Sequence, residues 1–418
     1  MRVVFIADAR SPIATGWMSF FVRQGHDVHV ISSYPCSAEA LPGATVYQLP
    51  IAFSRLADLG RPAAGAGGNH QSATSRAIAT LRSGRLANLS TFARFWLAPL
   101  ELGRHLRKAR ELILQLSPDL VHAMRIPFEG ILATRATPRK TPLLISVWGN
   151  DLTLFASQYP LVASQTRMSL RRASALHCDC LRDLRLASQS WGFDINKTSL
   201  VSPSGGGIHT SIFTPGESDP SLRRELGIPD DALVVFNPRG FRDYLRTDVF
   251  FQSIPLVLKR HPRSLFVCAG MQSNPIAEKW VRRLAIQKSV RLLPSMSHER
   301  MAGLFRLAII AVSPSLHDGT PNTLLEAMAC GCFPVAGDID SVREWIADGV
   351  NGLFCDPTSP ESLANAIIEA LSNQRLRDSA REHNIRLIAE RAEYGKVMQQ
   401  AEEFYFRIVQ QNQIGAQA

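Results

Sequence analysis

The sequence predicts an α/β protein made of two doubly wound parallel-sheet domains, and three observations predict it. Short apolar runs alternate with longer segments of helical period from end to end, the pattern of βα units that feed parallel sheets. The 418 residues exceed the roughly 250–300 at which a single core stops growing. Near the middle, Ser202-Pro203-Ser204-Gly205-Gly206-Gly207 and then Thr214-Pro215-Gly216 interrupt any helix or central strand.

Taken in order, the first series of strands is expected at 2–7, 27–32, 45–49, 119–123, 143–148, 175–179 and 199–202. The second is expected at 233–237, 264–269, 290–293, 308–312, 333–336 and 353–355. This places an N-terminal domain at 1–205 and a C-terminal domain at 206–392. Residues 60–88, with Gly65-Ala66-Gly67-Gly68, read as a mobile insertion in the first domain. The tail 393–418 carries Tyr394, Phe404, Tyr405, Phe406 and Ile408, so a last helix is expected to cross back to the N-terminal domain.

Apolar residues make up 45% of the chain and charged residues 20%, which excludes disordered and fibrous classes. Lys and Arg exceed Asp and Glu by 46 to 36, a surplus that attracts phosphates or an anionic surface. The basic residues are scattered and no Gly-x-x-x-x-Gly-Lys loop is present, which disfavours nucleic acid as a partner. Seven cysteines, most of them in apolar stretches, read as reduced core residues of a cytosolic protein. Residues 2–7 read as a strand rather than an export signal, and no apolar run reaches about 18 residues. The expected location is therefore cytoplasmic, with peripheral membrane contact left open at Phe95, Trp96, Arg104, Arg107, Lys108 and Arg110.

The most informative run is Ser313-Pro314-Ser315-Leu316-His317-Asp318-Gly319-Thr320-Pro321-Asn322-Thr323-Leu324-Leu325-Glu326-Ala327-Met328-Ala329-Cys330-Gly331. It reads as strand end, loop and helix, with Thr320 as N-cap, Pro321 in the first turn and Gly331 at the stop. The amides of Asn322, Thr323 and Leu324 would then point from the positive end of the helix, at the carboxyl edge of a parallel sheet. That is an anion site suited to a diphosphate, with Asp318 and Glu326 offering acceptors to sugar and ribose hydroxyls.

This segment resembles the acidic-x7-acidic signature of retaining GT-B glycosyltransferases, family four. Val147-Trp148-Gly149-Asn150-Asp151, Pro238-Arg239-Gly240 and Asp348-Gly349-Val350-Asn351-Gly352 fall in that family's order and spacing, so the resemblance covers nearly the whole chain. It implies two Rossmann-like domains facing a central cleft, and transfer of a sugar from a nucleotide-diphosphate sugar with retention and without a metal or other cofactor. By the same resemblance Glu326 holds the donor ribose, Asp318 lies beside the transferred sugar and Arg239 binds the departing diphosphate. Gly319, Thr320, Asn322, Thr323 and Leu324 complete the donor loop, and the backbone near Leu293 reads the base. The family's lysine is absent from the stretch after Gly240, where Arg246 or Arg242 replaces it, Arg246 being preferred.

The acceptor is expected at the strand ends of the N-terminal domain: Arg10 and Trp17 after the first strand, His122 and Arg125 after the fourth, and Trp148, Asn150 and Asp151 after the fifth. Asp151 would orient acceptor or sugar, and with Asp318 and Arg239 it makes up the expected catalytic set. A saccharide, a lipid-linked sugar or a small molecule would serve as acceptor, in glycan or glycolipid biosynthesis. A sugar-nucleotide epimerase of the same architecture and a non-catalytic nucleotide-sugar binding protein are the alternatives. The close-set His177-Cys178-Asp179-Cys180 does not read as a metal site, because alternate strand residues face opposite sides.

Overall fold

The computed structural model describes residues 1–54, 95–96 and 101–417, and the insertion expected at 60–88 lies outside the described residues. The chain divides into two compact units. Unit 1 comprises Met1–Gly206 and Met398–Ala418, and unit 2 comprises Gly207–Val397.

Unit 1 contains β1 (Arg2–Ala7), β2 (Asp27–Ser32), β3 (Thr45–Gln48), β4 (Leu120–Ala123), β5 (Leu143–Val147), β6 (Ala175–Cys178) and β7 (Ser199–Val201). They form one parallel sheet in the order β3-β2-β1-β4-β5-β6-β7. β1, β4, β5 and β6 are nearly continuous apolar runs because helices cover both faces of the sheet. In register, Phe5 sits beside Val30 on one side and His122 on the other.

Helix α1 (Pro12–Arg23) starts at Ser11, whose hydroxyl accepts the Ala14 amide, and Pro12 supplies a φ already suited to the first turn. It buries Trp17, Met18, Phe20 and Phe21. α2 (Gly103–Leu116), α3 (Ile131–Ala136), α4 (Pro160–Arg172) and α5 (Leu181–Gln189) complete the layers described around the sheet.

Unit 2 holds β8 (Leu233–Asn237), β9 (Ser264–Cys268), β10 (Val290–Leu292), β11 (Ile310–Ser313), β12 (Phe333–Gly337) and β13 (Leu353–Cys355), parallel and in the order β10-β9-β8-β11-β12-β13. Alternate side chains of each strand feed two cores. Val234 and Phe236 pack with Leu304 and Phe305 of α8 (His298–Leu307) and with Leu325 and Met328 of α9 (Asn322–Ala329). Val235 packs on the other face with Phe250 and Phe251 of α6 (Thr247–Arg260) and with Leu363 and Ile367 of α10 (Pro360–Ser372). Each such fully buried side chain contributes about 1.5–3 kcal/mol. α7 (Pro275–Arg283) and α11 (Gln374–Arg391) flank the sheet.

The last helix, α12 (Tyr394–Gln417), begins in unit 2 and continues into unit 1 from Met398 onward. Within unit 1 Tyr405 stacks on Phe21 at 4.3 Å, and Glu402 meets His26 at 2.6 Å. Farther along, Gln411 accepts from Thr198 and Asn412 donates to the Lys140 carbonyl. No helix among the described residues is long and apolar enough to cross a membrane.

Both sheets reverse winding direction once, between β1 and β4 in unit 1 and between β8 and β11 in unit 2. In open α/β sheets such switch points leave a crevice at the carboxyl ends of the strands, where ligands bind.

Candidate functional site

In unit 2 the switch point brings Arg239, just after β8, to Asp318, in the loop after β11. Their side chains form an ion pair. The backbone around this pair is tightly held. The Asn237 side-chain oxygen accepts the Arg239 amide, Ser341 donates to the Asp318 carbonyl, and the Gly319 amide donates to the Asp318 carboxylate. Gly337 is required here, since a Cβ would stand 2.5 Å from the Ser315 carbonyl oxygen.

Glu326 lies one turn into α9, and burial pushes its carboxyl up to about 7 against the opposing pull of Arg239. Thr323, in the first turn, has a buried hydroxyl oxygen without a partner among the described residues. A paired cation, a helix amino end and a half-neutral carboxyl thus share one crevice, which suits an anion carrying hydroxyl groups.

Four donor-side expectations need correction. The helix starts at Asn322 with Pro321 as its cap, and Thr320 instead accepts a hydrogen bond from Trp345 Nε1 at 3.2 Å. The Leu324 amide is spent on the Pro321 carbonyl at 2.8 Å, so it does not point at a ligand. Leu293 uses its amide on Cys268 and its carbonyl on the amides of Met271 and Gln272, so its own backbone has nothing left for a base. Arg246, held at φ +49°, makes two 3.0 Å bonds to Asp248 and is neutralised there. Arg242 donates to the Tyr244 hydroxyl and has no carboxylate partner among the described residues.

In unit 1 the switch point opens a pocket of about 260 Å³ lined by residues including Asp8, Tyr34, Phe95, Arg125, Phe128 and Trp148. Arg125 donates to Asp151 at 2.9 Å and lies over the ring of Phe155 at 5.1 Å and that of Trp148 at 6.0 Å. Arg10 pairs with Asp8 at 3.0 Å and covers the Tyr34 ring at 4.0 Å. Glu129 is buried and accepts from the Ser33 hydroxyl.

Four acceptor-side expectations also change. Asp151 is fully buried, and its carboxylate holds Arg125 and the amides of Ile126 and Trp148, so it positions the strand ends instead of touching a substrate. Trp17 and His122 lie in the interior. The indole N–H of Trp17 donates to the Tyr405 hydroxyl, which therefore donates its own proton to His122 Nδ1. His122 Nε2 then donates to Ser146 at 2.7 Å, Ser146 donates to His177 Nδ1 at 2.9 Å, and His177 Nε2 donates to the Ser202 carbonyl at 3.1 Å. One fixed donor and one fixed acceptor thus set the tautomers of both histidines, and burial keeps both neutral, His177 down at about 4.

Asn150 does not line the pocket, and its side-chain oxygen is buried without a partner among the described residues. The sequence reading missed Tyr34, Phe128, Glu129 and Phe155. Three of them had a signal: they lie in the segments that follow β2 and β4 at the carboxyl edge, where ligands collect.

Asp179, Cys180 and Asp183 bring potential metal-ligand atoms within 4.8 Å of one another. These groups already have work. Asp179 accepts the Gly149 amide, while Arg182 bridges Asp183 and the Gly149 carbonyl, so the cluster clamps the loop that carries Trp148. Burial, reinforced by the neighbouring Asp183 carboxylate, pushes the Asp179 carboxyl well above the usual range.

Comparison with known proteins agrees with this layout. The family described as "Glycosyl transferases group 1" matches residues 218–386, and "Glycosyl transferase 4-like domain" matches 13–204. A D-inositol 3-phosphate glycosyltransferase of Geodermatophilus obscurus is 28% identical over 222 residues, covering 50% of this chain and 48% of that protein. One from Catenulispora acidiphila is 29% identical over 187 residues, covering 42% and 43%. The chain therefore spans about half the length of the curated relatives it matches. Among solved structures, sucrose-phosphate synthase from Thermosynechococcus elongatus superposes with a TM-score of 0.71 at 14% identity, covering 98% of this chain and 99% of that one. Anabaena HepE in complex with UDP-glucose superposes with 0.68 at 16% identity, covering 96% and 98%. Two family descriptions along the chain, two parallel sheets and these neighbours together establish the GT-B fold, and the chain belongs to the group 1, family-four-like glycosyltransferases.

Proposed function

We propose that this protein moves a sugar from a nucleoside-diphosphate sugar bound by unit 2 to a hydroxyl group bound by unit 1, with retention of anomeric configuration and without a bound metal. The observation that carries the reading is the Arg239–Asp318 pair beside Glu326 at the amino end of α9. HepE, which shares the fold, is described in complex with UDP-glucose, and a donor of that type is the first to try.

In this reading the diphosphate takes Asp318's place on Arg239, and Arg242 adds charge that no described carboxylate cancels. Asp318, released, accepts from hydroxyls of the sugar, and Glu326 accepts from the ribose. Charge developing on the leaving diphosphate is stabilised by groups already in position. The leaving phosphate takes the proton of the incoming hydroxyl on the same face, so no carboxylate nucleophile is required. Asp318 is engaged by Arg239 and Glu326 is half-protonated near neutrality, an arrangement ill suited to holding a divalent cation between them. The product would extend a glycan or a glycolipid.

Calorimetry with UDP, GDP, ADP and TDP sugars in the presence of chelator tests the donor half, with Glu326→Ala as control. One donor should bind to the wild type and be lost in the variant. Proton NMR of the product reads the anomeric configuration, and an inverted product or a requirement for added metal would overturn that part.

A further inference from the structure

The unit 1 pocket carries a statement about the acceptor. We infer that it takes an uncharged, ring-shaped polyol with an apolar face, such as a glycoside, and not a phosphomonoester. The inference rests on the glycosyl-transfer reading and names the chemistry of its second substrate.

Three properties of the pocket lead there. The first is size. A volume of about 260 Å³ falls below the roughly 300–1,000 Å³ of pockets for drug-sized ligands, so it has room for one ring and not an extended chain.

The second is the lining. Tyr34, Phe95, Phe128, Trp148 and Phe155 bring five aromatic side chains to a small space. An aromatic face is electron-rich and attracts the weakly positive C–H face of a saturated ring. Phe128 is held at φ +71°, ψ −60°, a rare and strained turn for a bulky residue, closed by the Gly130 amide on the Arg125 carbonyl at 2.8 Å. A Cβ on Gly130 would stand 2.9 Å from that carbonyl oxygen, so the turn depends on the glycine. Strain of this sort persists where the surroundings enforce it, and it clusters at binding sites.

The third is charge. Arg10 faces Asp8 and Arg125 faces Asp151, so each of these two described cations has a carboxylate beside it. Glu129 adds a further carboxyl to the lining. Among these five side chains the carboxylates outnumber the guanidinium groups, so a phosphate approaching the amino end of α1 at Ser11 would lie beside Asp8 and Glu129. Hydroxyl groups face no such opposition. Carboxylates accept from them and the guanidinium edges donate to them.

The test compares matched acceptors on the full chain. Methyl glucosides and free inositol are set against glucose 6-phosphate and inositol 3-phosphate, first by ligand-observed NMR without donor and then by turnover with UDP-glucose or the donor that calorimetry selects. The neutral member of each pair should bind and react at least tenfold better. Asp8→Asn, which removes a carboxylate from the pocket beside Arg10, should shift that preference at least tenfold toward the phosphorylated member. Binding or turnover confined to the phosphorylated acceptors, with donor hydrolysis intact, overturns the inference while leaving the transfer reading standing. Binding of neutral rings without any donor binding overturns the transfer reading instead. Absence of binding by either member of every pair also sinks the inference.

Discussion

At the switch point of unit 2, a single arginine faces a single aspartate beside the amino end of a helix, with a glutamate poised near neutrality one turn in. At the equivalent point of unit 1 two arginines are each matched by an aspartate and surrounded by aromatic rings. The strand order around both points is the same. Topology therefore places a crevice in each unit, and the side chains at the strand ends decide whether it suits a phosphate or a neutral ring. The difference lies in the company of the charges: the Arg239–Asp318 pair shares its crevice with the raised Glu326 carboxyl, whereas the Arg10–Asp8 and Arg125–Asp151 pairs sit beside a pocket lined by aromatic rings.

The largest expected effect tests the cation of unit 2. Arg239→Ala should lower kcat/KM by about 10²–10³-fold, the usual consequence of removing one preorganised charge stabiliser. Arg125→Ala should act on the acceptor KM, by about tenfold. If steady-state kinetics instead show Arg125→Ala abolishing donor binding and Arg239→Ala sparing it, the assignment of the two crevices is reversed.

The next effect follows the Glu326 carboxyl. Raised to about 7 by burial, it accepts ribose hydroxyls best when ionised, so donor affinity should rise severalfold as pH rises through 7 and level off above it. For stability the sign is opposite. The fold favours the protonated form, so the stabilisation is complete below the ordinary carboxyl value of 4.5 and is lost as pH rises through about 7, by on the order of 3 kcal/mol. Glu326→Gln should flatten both profiles in calorimetry and urea titration. A pH-independent donor affinity in the wild type would count against the ribose role.

Unit 1 has its own pH signature. His122 and His177 are buried and neutral, so their share of stability is present above the ordinary histidine value of 6.5 and lost as pH falls, for His177 through about 4. Tyr405→Phe removes the link between α12 and His122 and should cost about 1–3 kcal/mol. Limited proteolysis should then cut α12 faster, and unchanged digestion would show that the hydroxyl contributes nothing there.

The smallest effect separates two arginines of unit 2. Arg242→Ala should weaken donor binding about threefold to tenfold, the scale of one solvent-facing charge contact, whereas Arg246→Ala should change it less because Asp248 already neutralises that side chain. The reverse order in calorimetry would restore Arg246 to the diphosphate.

Much of this was legible in the sequence. The thirteen expected strands correspond to the thirteen observed among the described residues, because a strand buried on both faces must be apolar throughout and is bounded by residues that break it. The ends moved by a residue or two, as at β11, expected at 308–312 and observed at Ile310–Ser313. The donor loop was legible because strand end, loop and helix start lie within some twenty consecutive residues, where local spacing dictates geometry. What only the tertiary structure decided are the pairings between distant positions. Trp17, in the middle of α1, and His122, near the end of β4, were expected to meet a ligand, yet Tyr405, 283 residues beyond His122, claims both. Arg125 and Asp151 come from different strand ends, and the 260 Å³ pocket is lined from the segments after β1, β2, β4 and β5 together with Phe95. Sequence spacing specifies what a segment presents to its own neighbours. Whether a polar group is spent on an internal partner or left for a ligand depends on which remote segment packs against it, and only the assembled core determines that.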